Sequence, residues 1–102
     1  MLLVYITCEN QDEAKSIARQ LLEENLIACA NIYPQVQSIY KWQGEIEEAN
    51  EAVMIVKTLP EKYEALKVRV EELHSYDCVC IAGIPAKEIN PNFQTWIEKE
   101  LK

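Results

Sequence analysis

An α+β fold is predicted for this 102-residue chain by three features of its sequence. Short runs rich in β-branched and aromatic residues alternate with two segments of helical periodicity. Between these two segments lies a long two-stranded pattern with a glycine at its turn, and a third helical segment ends the chain. The length is close to the commonest domain size, so we expect one domain that covers residues 1–102.

The first strand and the first helix follow from the amino-terminal quarter of the chain. The run LLVYITC, residues 2–8, has the β-branched and aromatic character of a strand. Asn10 can cap a helix, with Glu13 three residues later as its reciprocal partner. Asn25 can end this helix in the left-handed conformation. Apolar residues recur at helical spacing between the two caps: Ala14, Ile17, Ala18, Leu21 and Leu22.

The second and third strands are predicted to form a long hairpin. The run LIACANIY, residues 26–33, is almost continuously apolar, as expected for a strand that is covered on both faces. Pro34 interrupts it, so strand pairing there must lie at an edge or a bulge. Gln43-Gly44 is suited to a two-residue turn. The returning strand, residues 45–58, becomes apolar from Ala52, which places the base of the hairpin in the core and its tip outside.

The remaining elements are two helices and a fourth strand. Thr58 is predicted to cap the second helix, whose buried stripe is Tyr63, Leu66, Val70 and Leu73. The run CVCIAGI, residues 78–84, is predicted to be a buried strand, and Pro91 lies at the start of the last helix. The order βαββαβ with a C-terminal helix is the ferredoxin-like arrangement, in which both main helices cover one face of a four-stranded antiparallel sheet.

Composition argues against two classes of partner. The net charge is −7, with 17 acidic and 10 basic residues, so the chain offers no basic surface for nucleic acid. The apolar run at residues 2–6 lacks a basic start and is too short for a signal sequence or a membrane span. We therefore expect a cytoplasmic protein with no nucleic-acid or membrane partner. Because disulfides are rare in that compartment, the four cysteines are expected to be thiols.

The histidine and the cysteines are the residues most suited to bind a metal. Cys8 lies between the first strand and the first helix, where a helix N-terminus stabilises thiolates, so it is the best candidate for a reactive or metal-binding thiol. Cys29 lies in an apolar run and is favoured as a core residue. His74 ends the second helix, and strand alternation turns Cys78 and Cys80 to one face, which favours a buried pair over a metal site.

The hairpin is the best candidate for an interface between copies of the chain. Tyr40 and Trp42 share one strand face near its tip, and long arms with unpaired edges favour pairing with another copy. The alternative is a solvated acidic hairpin. No arrangement of nucleophile, base and acid can be named, so we expect no enzymatic activity.

Three segments together resemble the CutA divalent-cation tolerance family: ACANIYPQVQSIYKWQGEIEEANEAVMIVKT, LHSYDCVCI and NPNFQTWI. The resemblance extends over essentially the full chain, and its most specific parts are the hairpin at residues 40–46 and the pair Leu73-His74. It implies a ferredoxin-like subunit in a homotrimer, with hairpins that pair between subunits. It also implies a cytoplasmic, non-catalytic protein that is linked to tolerance of copper and other divalent ions.

The same resemblance indicates candidate site residues. The candidate metal ligands are His74, Cys8, Cys29 and Cys80, and the candidate residues of an intersubunit cleft are Tyr40, Trp42, Glu45, Lys57 and Tyr76. Relatives typically read His-Pro-Tyr-Glu-x-Pro-Glu, where this chain has Val79 for the second proline and Cys80 for the last glutamate. A thiol in place of a carboxylate favours a softer ion, such as Cu(I) or Zn(II).

Three functional hypotheses follow from these observations. The leading one is a cytosolic homotrimer that binds copper or another divalent metal ion and contributes to metal homeostasis. The alternative is a PII-like regulatory trimer that binds a small anionic metabolite in the intersubunit cleft, where Lys57 would supply positive charge and Tyr40 or Trp42 a stacking face. The third is a scaffold whose trimer offers a docking surface to another protein.

Overall fold

Four strands and three helices form an α+β fold in the computed structural model, which describes residues 1–102. The elements in chain order are β1 (Leu2–Cys8), α1 (Gln11–Glu23), β2 (Cys29–Trp42), β3 (Glu45–Thr58), α2 (Tyr63–Leu73), β4 (Ile81–Pro85) and α3 (Pro91–Glu100). The strands form one antiparallel sheet in the order β2-β3-β1-β4. The predicted βαββαβ order, the extended hairpin and the C-terminal helix are confirmed.

The core lies between one face of the sheet and the helices α1 and α2. Alternation along β1 turns every second residue to this face, and the register pairs these residues with the matching ones of β3: Leu2 with Thr58, Val4 with Val56, Ile6 with Met54 and Cys8 with Ala52. The apolar stripes of the two helices pack against them. This cluster therefore fixes the end of β1, where Cys8 lies.

The start of α1 is held by two side chains. The Glu13 N–H donates to Asn10 Oδ1 at 2.9 Å, as the predicted cap requires. The Glu13 carboxylate, however, accepts at 2.9 Å from the N–H of Glu9 and not from that of Asn10. Its side chain is thereby turned back toward the end of β1. At the other end of the helix Asn25 has φ 57°, which confirms the left-handed residue predicted there.

The hairpin follows the predicted turn and irregularity. Gln43 and Gly44 have φ 49° and 83°, the combination that a tight two-residue turn between twisted strands requires. The register shifts between Tyr33 and Val36, on either side of Pro34. The expectation that β2 is covered on both faces is wrong for the single chain, because β2 is an edge strand whose residues are half-buried or exposed.

The predicted cap of α2 is wrong. Thr58 lies on the core face of β3 and is fully buried, so its hydroxyl needs a partner inside the fold. It donates to the Leu26 carbonyl oxygen at 2.8 Å. This bond connects the segment between α1 and β2 to the end of β3. A short 3₁₀ turn at Pro60–Lys62 leads into α2, which begins without a side-chain cap.

The fourth strand is shorter than predicted. It begins at Ile81, and the residues from His74 to Cys80 form an irregular loop. Val79 is the residue of this loop that packs against the core, while Cys78 and Cys80 are exposed. The prediction of a buried cysteine pair is therefore wrong, because Val79 faces the core and the cysteines on either side of it face solvent.

The second face of the sheet is only partly covered. Helix α3 lies beside it, since the Lys57 ammonium is 5.4 Å from the centroid of the Phe93 ring. Three large apolar residues of this face remain exposed: Tyr5, Tyr33 and Ile84. None of the three helices has the length and apolar character required to cross a membrane.

Candidate functional site

A thiol, a carboxylate and an imidazole meet where β1 ends. One ligand atom each of Cys8, Glu13 and His74 lies within 4.8 Å of the other two. His74 Nε2 and Glu13 Oε1 are 3.7 Å apart. The Cys8 residue and the His74 side chain are fully buried, and the Glu13 side chain is 15% exposed. We call these three residues the buried cluster.

Each member of the buried cluster is placed by the end of a secondary structure element. Cys8 is the last core-facing residue of β1, and Glu13 lies in the first turn of α1. His74 follows α2, and its N–H donates to the Val70 carbonyl oxygen at 2.9 Å. The Ser75 N–H donates to Glu13 Oε2 at 3.0 Å, so the residue after the histidine also ties the loop to α1.

The hydrogen bonds of His74 determine its tautomer. Its Nε2 is 2.8 Å from the Thr7 carbonyl oxygen, which can only accept, and its Nδ1 accepts from the Tyr76 N–H at 3.1 Å. The ring therefore carries a hydrogen on Nε2, and Nδ1 is the acceptor. Because both ring nitrogens already have partners, Nε2 can bind a metal ion only if it gives up the Thr7 carbonyl and its hydrogen moves to Nδ1, in place of the hydrogen bond from the Tyr76 N–H.

Burial and nearby carboxylates keep the Cys8 thiol protonated. Burial, followed by the negative charges of Glu13 and Glu51, raises the pKa of Cys8 to about 12. The expectation of a thiolate stabilised by the start of α1 is therefore wrong for the metal-free protein. Burial also opposes ionisation of Glu13, but hydrogen bonds from Ser75 and Glu9 outweigh it and hold the pKa of Glu13 below its usual value. The negative charge of the buried cluster consequently resides on the carboxylate.

A cleft of about 720 Å³ opens on the other side of the β1 terminus. Its lining includes three predicted cleft residues, Tyr40, Trp42 and Tyr76, together with Thr7, Glu9, Glu47, Ala49, Asn50, Glu51, Asp77, Cys78 and Cys80. The Tyr76 hydroxyl donates to Glu51 Oε2 at 2.6 Å. Burial and this carboxylate both raise the pKa of Tyr76, so its phenol stays protonated.

Four of the predicted site residues lie apart from the buried cluster or the cleft for which they were predicted. Cys80 lies on the cleft wall and not in the buried cluster. Cys29, a predicted metal ligand, and Lys57, a predicted cleft residue, are paired in register on the second face of the sheet, beside α3. Glu45 faces Trp42 across the hairpin at the turn and does not line the cleft.

The charge of the cleft bears on the anionic-metabolite hypothesis. Its lining contains four carboxylates, those of Glu9, Glu47, Glu51 and Asp77, and no basic residue. Lys57, which was expected to supply positive charge, lies near Phe93 instead. The cleft therefore favours cations, and the anionic-metabolite hypothesis is not favoured.

Sequence reasoning missed Glu13 as a possible ligand. Its position in the capping pattern was recognised, but only as a helix-capping residue. The signal that could have found it is the spacing Cys8-x₄-Glu13 across a strand-to-helix junction, where a first-turn side chain can turn back toward the strand end.

Comparison with known proteins identifies the family. The model of the CutA1 divalent ion tolerance protein family matches residues 2–100. The chain belongs to this family.

Curated CutA proteins support this conclusion. The chain is 41% identical over 99 residues to the divalent-cation tolerance protein CutA of Archaeoglobus fulgidus, with 97% of this chain and 96% of that protein covered. It is 40% identical over 93 residues to the protein CutA homolog of Xenopus laevis, with 91% of this chain covered. The matched segment spans 62% of the length of the Xenopus protein.

Solved CutA structures share the fold over the full chain. The structure of CutA from Archaeoglobus fulgidus has a TM-score of 0.96 at 40% identity, with 100% of both chains covered. The divalent cation tolerance protein Cut A1 from Thermus thermophilus has a TM-score of 0.95 at 39% identity, again with 100% of both chains covered. The predicted ferredoxin-like α+β fold and the CutA resemblance are thus confirmed.

The predicted cytoplasmic location is contradicted. The Archaeoglobus fulgidus structure with which the chain shares 40% identity is described as a periplasmic divalent cation tolerance protein. The cytoplasmic expectation rested on the apolar run at residues 2–6, which forms part of the central strand β1. A buried core strand is apolar for reasons of packing and does not report the compartment of the protein.

Proposed function

We propose that this CutA family member binds a divalent metal ion through Cys8, Glu13 and His74 and contributes to divalent-ion tolerance without catalysing a reaction. The observation that carries the proposal is the convergence of a thiol, a carboxylate and an imidazole within 4.8 Å at the end of β1. Membership of a divalent ion tolerance family supports the same conclusion.

The donor set fits a borderline-soft ion. One sulfur, one nitrogen and one oxygen are ligands that Zn(II) and copper accept, whereas Mg²⁺ and Ca²⁺ prefer oxygen alone. With bonds of about 2.0–2.3 Å, tetrahedral ligand atoms lie about 3.3–3.8 Å apart. The 3.7 Å between Glu13 Oε1 and His74 Nε2 is within that range, and the 4.8 Å limit for the whole group requires a small contraction. Three protein ligands leave a fourth position for a further ligand.

Metal binding at this site has to displace the proton of the Cys8 thiol and both hydrogen bonds of the His74 ring. The sulfur of Cys8 becomes a ligand only as the thiolate, so each bound ion releases the proton that a pKa of about 12 keeps on the thiol. Because that proton is bound throughout the range below pH 12, apparent affinity should rise about tenfold per pH unit. His74 must also give up the Thr7 carbonyl, and the hydrogen on Nε2 has to move to Nδ1, which then loses the hydrogen bond from the Tyr76 N–H.

Titration of the reduced protein with Zn(II) tests this assignment. Cys8→Ala and Glu13→Gln should each weaken binding by at least about tenfold, since each removes one of three ligands. Cys29→Ser is the matched control, because it removes a thiol from the second face of the sheet. Affinity for the wild-type chain should rise between pH 6 and 8, whereas Cys8→Ala should lose about one unit of that slope. If wild type and Cys8→Ala had the same Zn(II) affinity and the same dependence of affinity on pH, the buried cluster would not be the metal site.

We also propose that the functional form is a homotrimer. Only 19 of the 102 residues are buried in the single chain, and Tyr5, Tyr33 and Ile84 form an uncovered apolar surface on the sheet. The hairpin adds a long unpaired edge along β2 and a tip with the exposed residues Trp42 and Ile46. Exposed apolar patches and unpaired strand edges are surfaces at which another copy of the chain can pair and pack.

Native mass spectrometry of the full chain tests the assembly. A mass of three chains is the expected result, and deletion of residues 37–49 should reduce the trimer to weakly associated subunits. A wild-type mass of one chain would contradict the trimer. A deletion variant that stays fully trimeric would contradict the role of the hairpin.

A further inference from the structure

Two thiols that the buried cluster does not use lie together on the cleft wall. Cys78 and Cys80 are both exposed, and both line the cleft beside Tyr76 and Asp77. They belong to the loop between α2 and β4, where no helix or strand fixes the backbone. Nothing in the packing of the fold requires a cysteine at either position, since neither side chain belongs to the core.

The loop directs both thiols to the same side. Val79 packs against the core between them, so its two neighbours turn outward together. Both side chains line the same cleft, so one ion in the cleft is accessible to both sulfur atoms. Two metal–sulfur bonds of about 2.3 Å span up to about 4.6 Å between the sulfur atoms. No strand pairing holds Cys78 or Cys80, so rotation of the two side chains can bring the sulfur atoms to that separation.

The surroundings of the two thiols favour a cation. Glu9, Glu47, Glu51 and Asp77 line the same cleft, and no basic residue does. These carboxylates raise the local concentration of any metal ion, whichever ion it is. The thiols then select among the attracted ions, because thiolate sulfur prefers soft ions such as Cu(I) and Cd(II) over Mg²⁺ and Ca²⁺.

The loop is anchored on both sides of the thiols. On one side the Tyr76 hydroxyl donates to Glu51 at 2.6 Å, and the Tyr76 N–H donates to His74 Nδ1 at 3.1 Å. On the other side Ile81 pairs with Ile6 at the start of β4. Between these anchors the side chains of Cys78 and Cys80 can rotate toward an ion while Val79 keeps its place against the core.

We propose that Cys78 and Cys80 chelate one soft, thiophilic metal cation on the cleft wall, at a site distinct from the buried cluster. Binding of a divalent ion converts two thiols to thiolates and releases two protons to solvent, so charge is balanced and no electron is transferred. The inference deepens the proposed function, on which it rests, by naming the class of ion that the cleft selects.

Cadmium titration of the reduced full-length chain tests the inference, since thiolate-to-cadmium charge transfer gives an ultraviolet absorption band that counts bound sulfurs. The variants are Cys78→Ser/Cys80→Ser, Cys8→Ala and the control Cys29→Ser. In Cys78→Ser/Cys80→Ser, we expect the affinity for Cd(II) to fall at least about tenfold. We also expect the absorption band to lose the intensity that two bound thiolates contribute. Cys8→Ala and Cys29→Ser should retain that two-thiolate component, and a hundredfold excess of Mg²⁺ should not compete with it.

The outcomes separate this inference from the proposed function. An unchanged two-thiolate band in the double variant, or its loss in Cys8→Ala alone, would overturn the cleft site and leave the buried cluster standing. Loss of the band in the double variant, with Zn(II) affinity unaffected by Cys8→Ala, would support the cleft site and contradict the buried cluster. Native mass spectrometry should find one Cd(II) per chain held by the pair. One Cd(II) for every two or three chains would instead indicate bridging between subunits and overturn chelation within one chain.

Discussion

The buried cluster and the cleft wall lie on opposite sides of the end of β1, yet the same short loop supplies residues to both. In the buried cluster the His74 ring has partners at both nitrogens, and no buried side-chain polar atom of the protein lacks one. On the cleft wall Cys78, Cys80 and Trp42 are exposed. Tyr76 connects the two regions, since its ring lies 4.7 Å from that of His74 and its hydroxyl bonds Glu51 in the cleft.

The comparison shows how burial sets the chemistry of a thiol. Cys8 is buried, and the negative charges of Glu13 and Glu51 add to the effect of burial, so its sulfur stays protonated. Cys78 and Cys80 are open to solvent, where reagents and ions reach them directly. Reactivity follows the thiolate fraction and exposure, so the buried thiol should be inert and the exposed pair reactive.

Thiol reactivity should show the largest difference between the two regions. With its pKa raised from 9.0 to about 12, Cys8 holds roughly a thousandfold less thiolate at neutral pH than an ordinary cysteine. Reaction of the folded protein with a disulfide reagent should therefore modify Cys78 and Cys80 first, Cys29 later and Cys8 last. Peptide mapping after timed quenching gives the order.

Two controls sharpen the reactivity experiment. Cys78→Ser/Cys80→Ser should remove the fast phase, and unfolding in urea should make all remaining thiols react at similar rates. If Cys8 were modified at the rate of Cys78 and Cys80, the end of β1 would be accessible to the reagent. That result would contradict the difference between the buried cluster and the cleft wall.

Removal of the His74 ring should have the next largest effect. His74→Ala leaves the Thr7 carbonyl oxygen and the Tyr76 N–H without their partners and opens a cavity beside Cys8. The loss of two hydrogen bonds and of packing should lower the free energy of unfolding by about 3 kcal/mol. Urea unfolding at a fixed protein concentration measures this change, since association of the chains makes stability depend on concentration.

Cys78→Ser is the matched control for that substitution. It changes an exposed residue of the same loop and should alter the free energy of unfolding by less than about 0.5 kcal/mol. If His74→Ala proved as stable as Cys78→Ser, the hydrogen bonds of the His74 ring would contribute nothing to stability. The buried cluster and the exposed cleft wall would then not differ in the way described.

The fold could be predicted almost entirely from the sequence because its signals are local. Asn10, Asn25 and the Gln43-Gly44 turn each fix the backbone within a few residues, and each has the predicted role. Thr58 shows where local reasoning fails, since its position favours a helix cap. Its hydroxyl instead bonds Leu26, 32 residues away in sequence, because Thr58 is buried on the core face of β3.

The candidate site was less predictable because it depends on whether each side chain points to the core or to solvent. Cys8 and His74 were identified from their residue types, but Glu13 joins them only because its carboxylate turns back to the Glu9 N–H. For Cys78 and Cys80 the alternation was recognised, and the phase was wrong because Val79 fills the core position between them. A shift of one residue in an extended segment exchanges core and solvent for every side chain.

The Tyr76 hydroxyl should give the smallest effect, and it tests the connection between the two regions. Tyr76→Phe removes the 2.6 Å bond to Glu51 and keeps the ring against His74. A bond to a charged acceptor contributes about 1.5–3 kcal/mol when enclosed, and partial exposure at the cleft should reduce the loss to about 1 kcal/mol. The freed loop should also expose Cys78 and Cys80 further, so their reaction with a disulfide reagent should accelerate about twofold to threefold.

Tyr40→Phe is the control, because it removes a hydroxyl from a cleft residue that is 45% exposed and lies outside the loop. A Tyr76→Phe variant that matches Tyr40→Phe in both stability and thiol reactivity would show that the buried cluster and the cleft wall are independent, and that the loop is held from His74 alone.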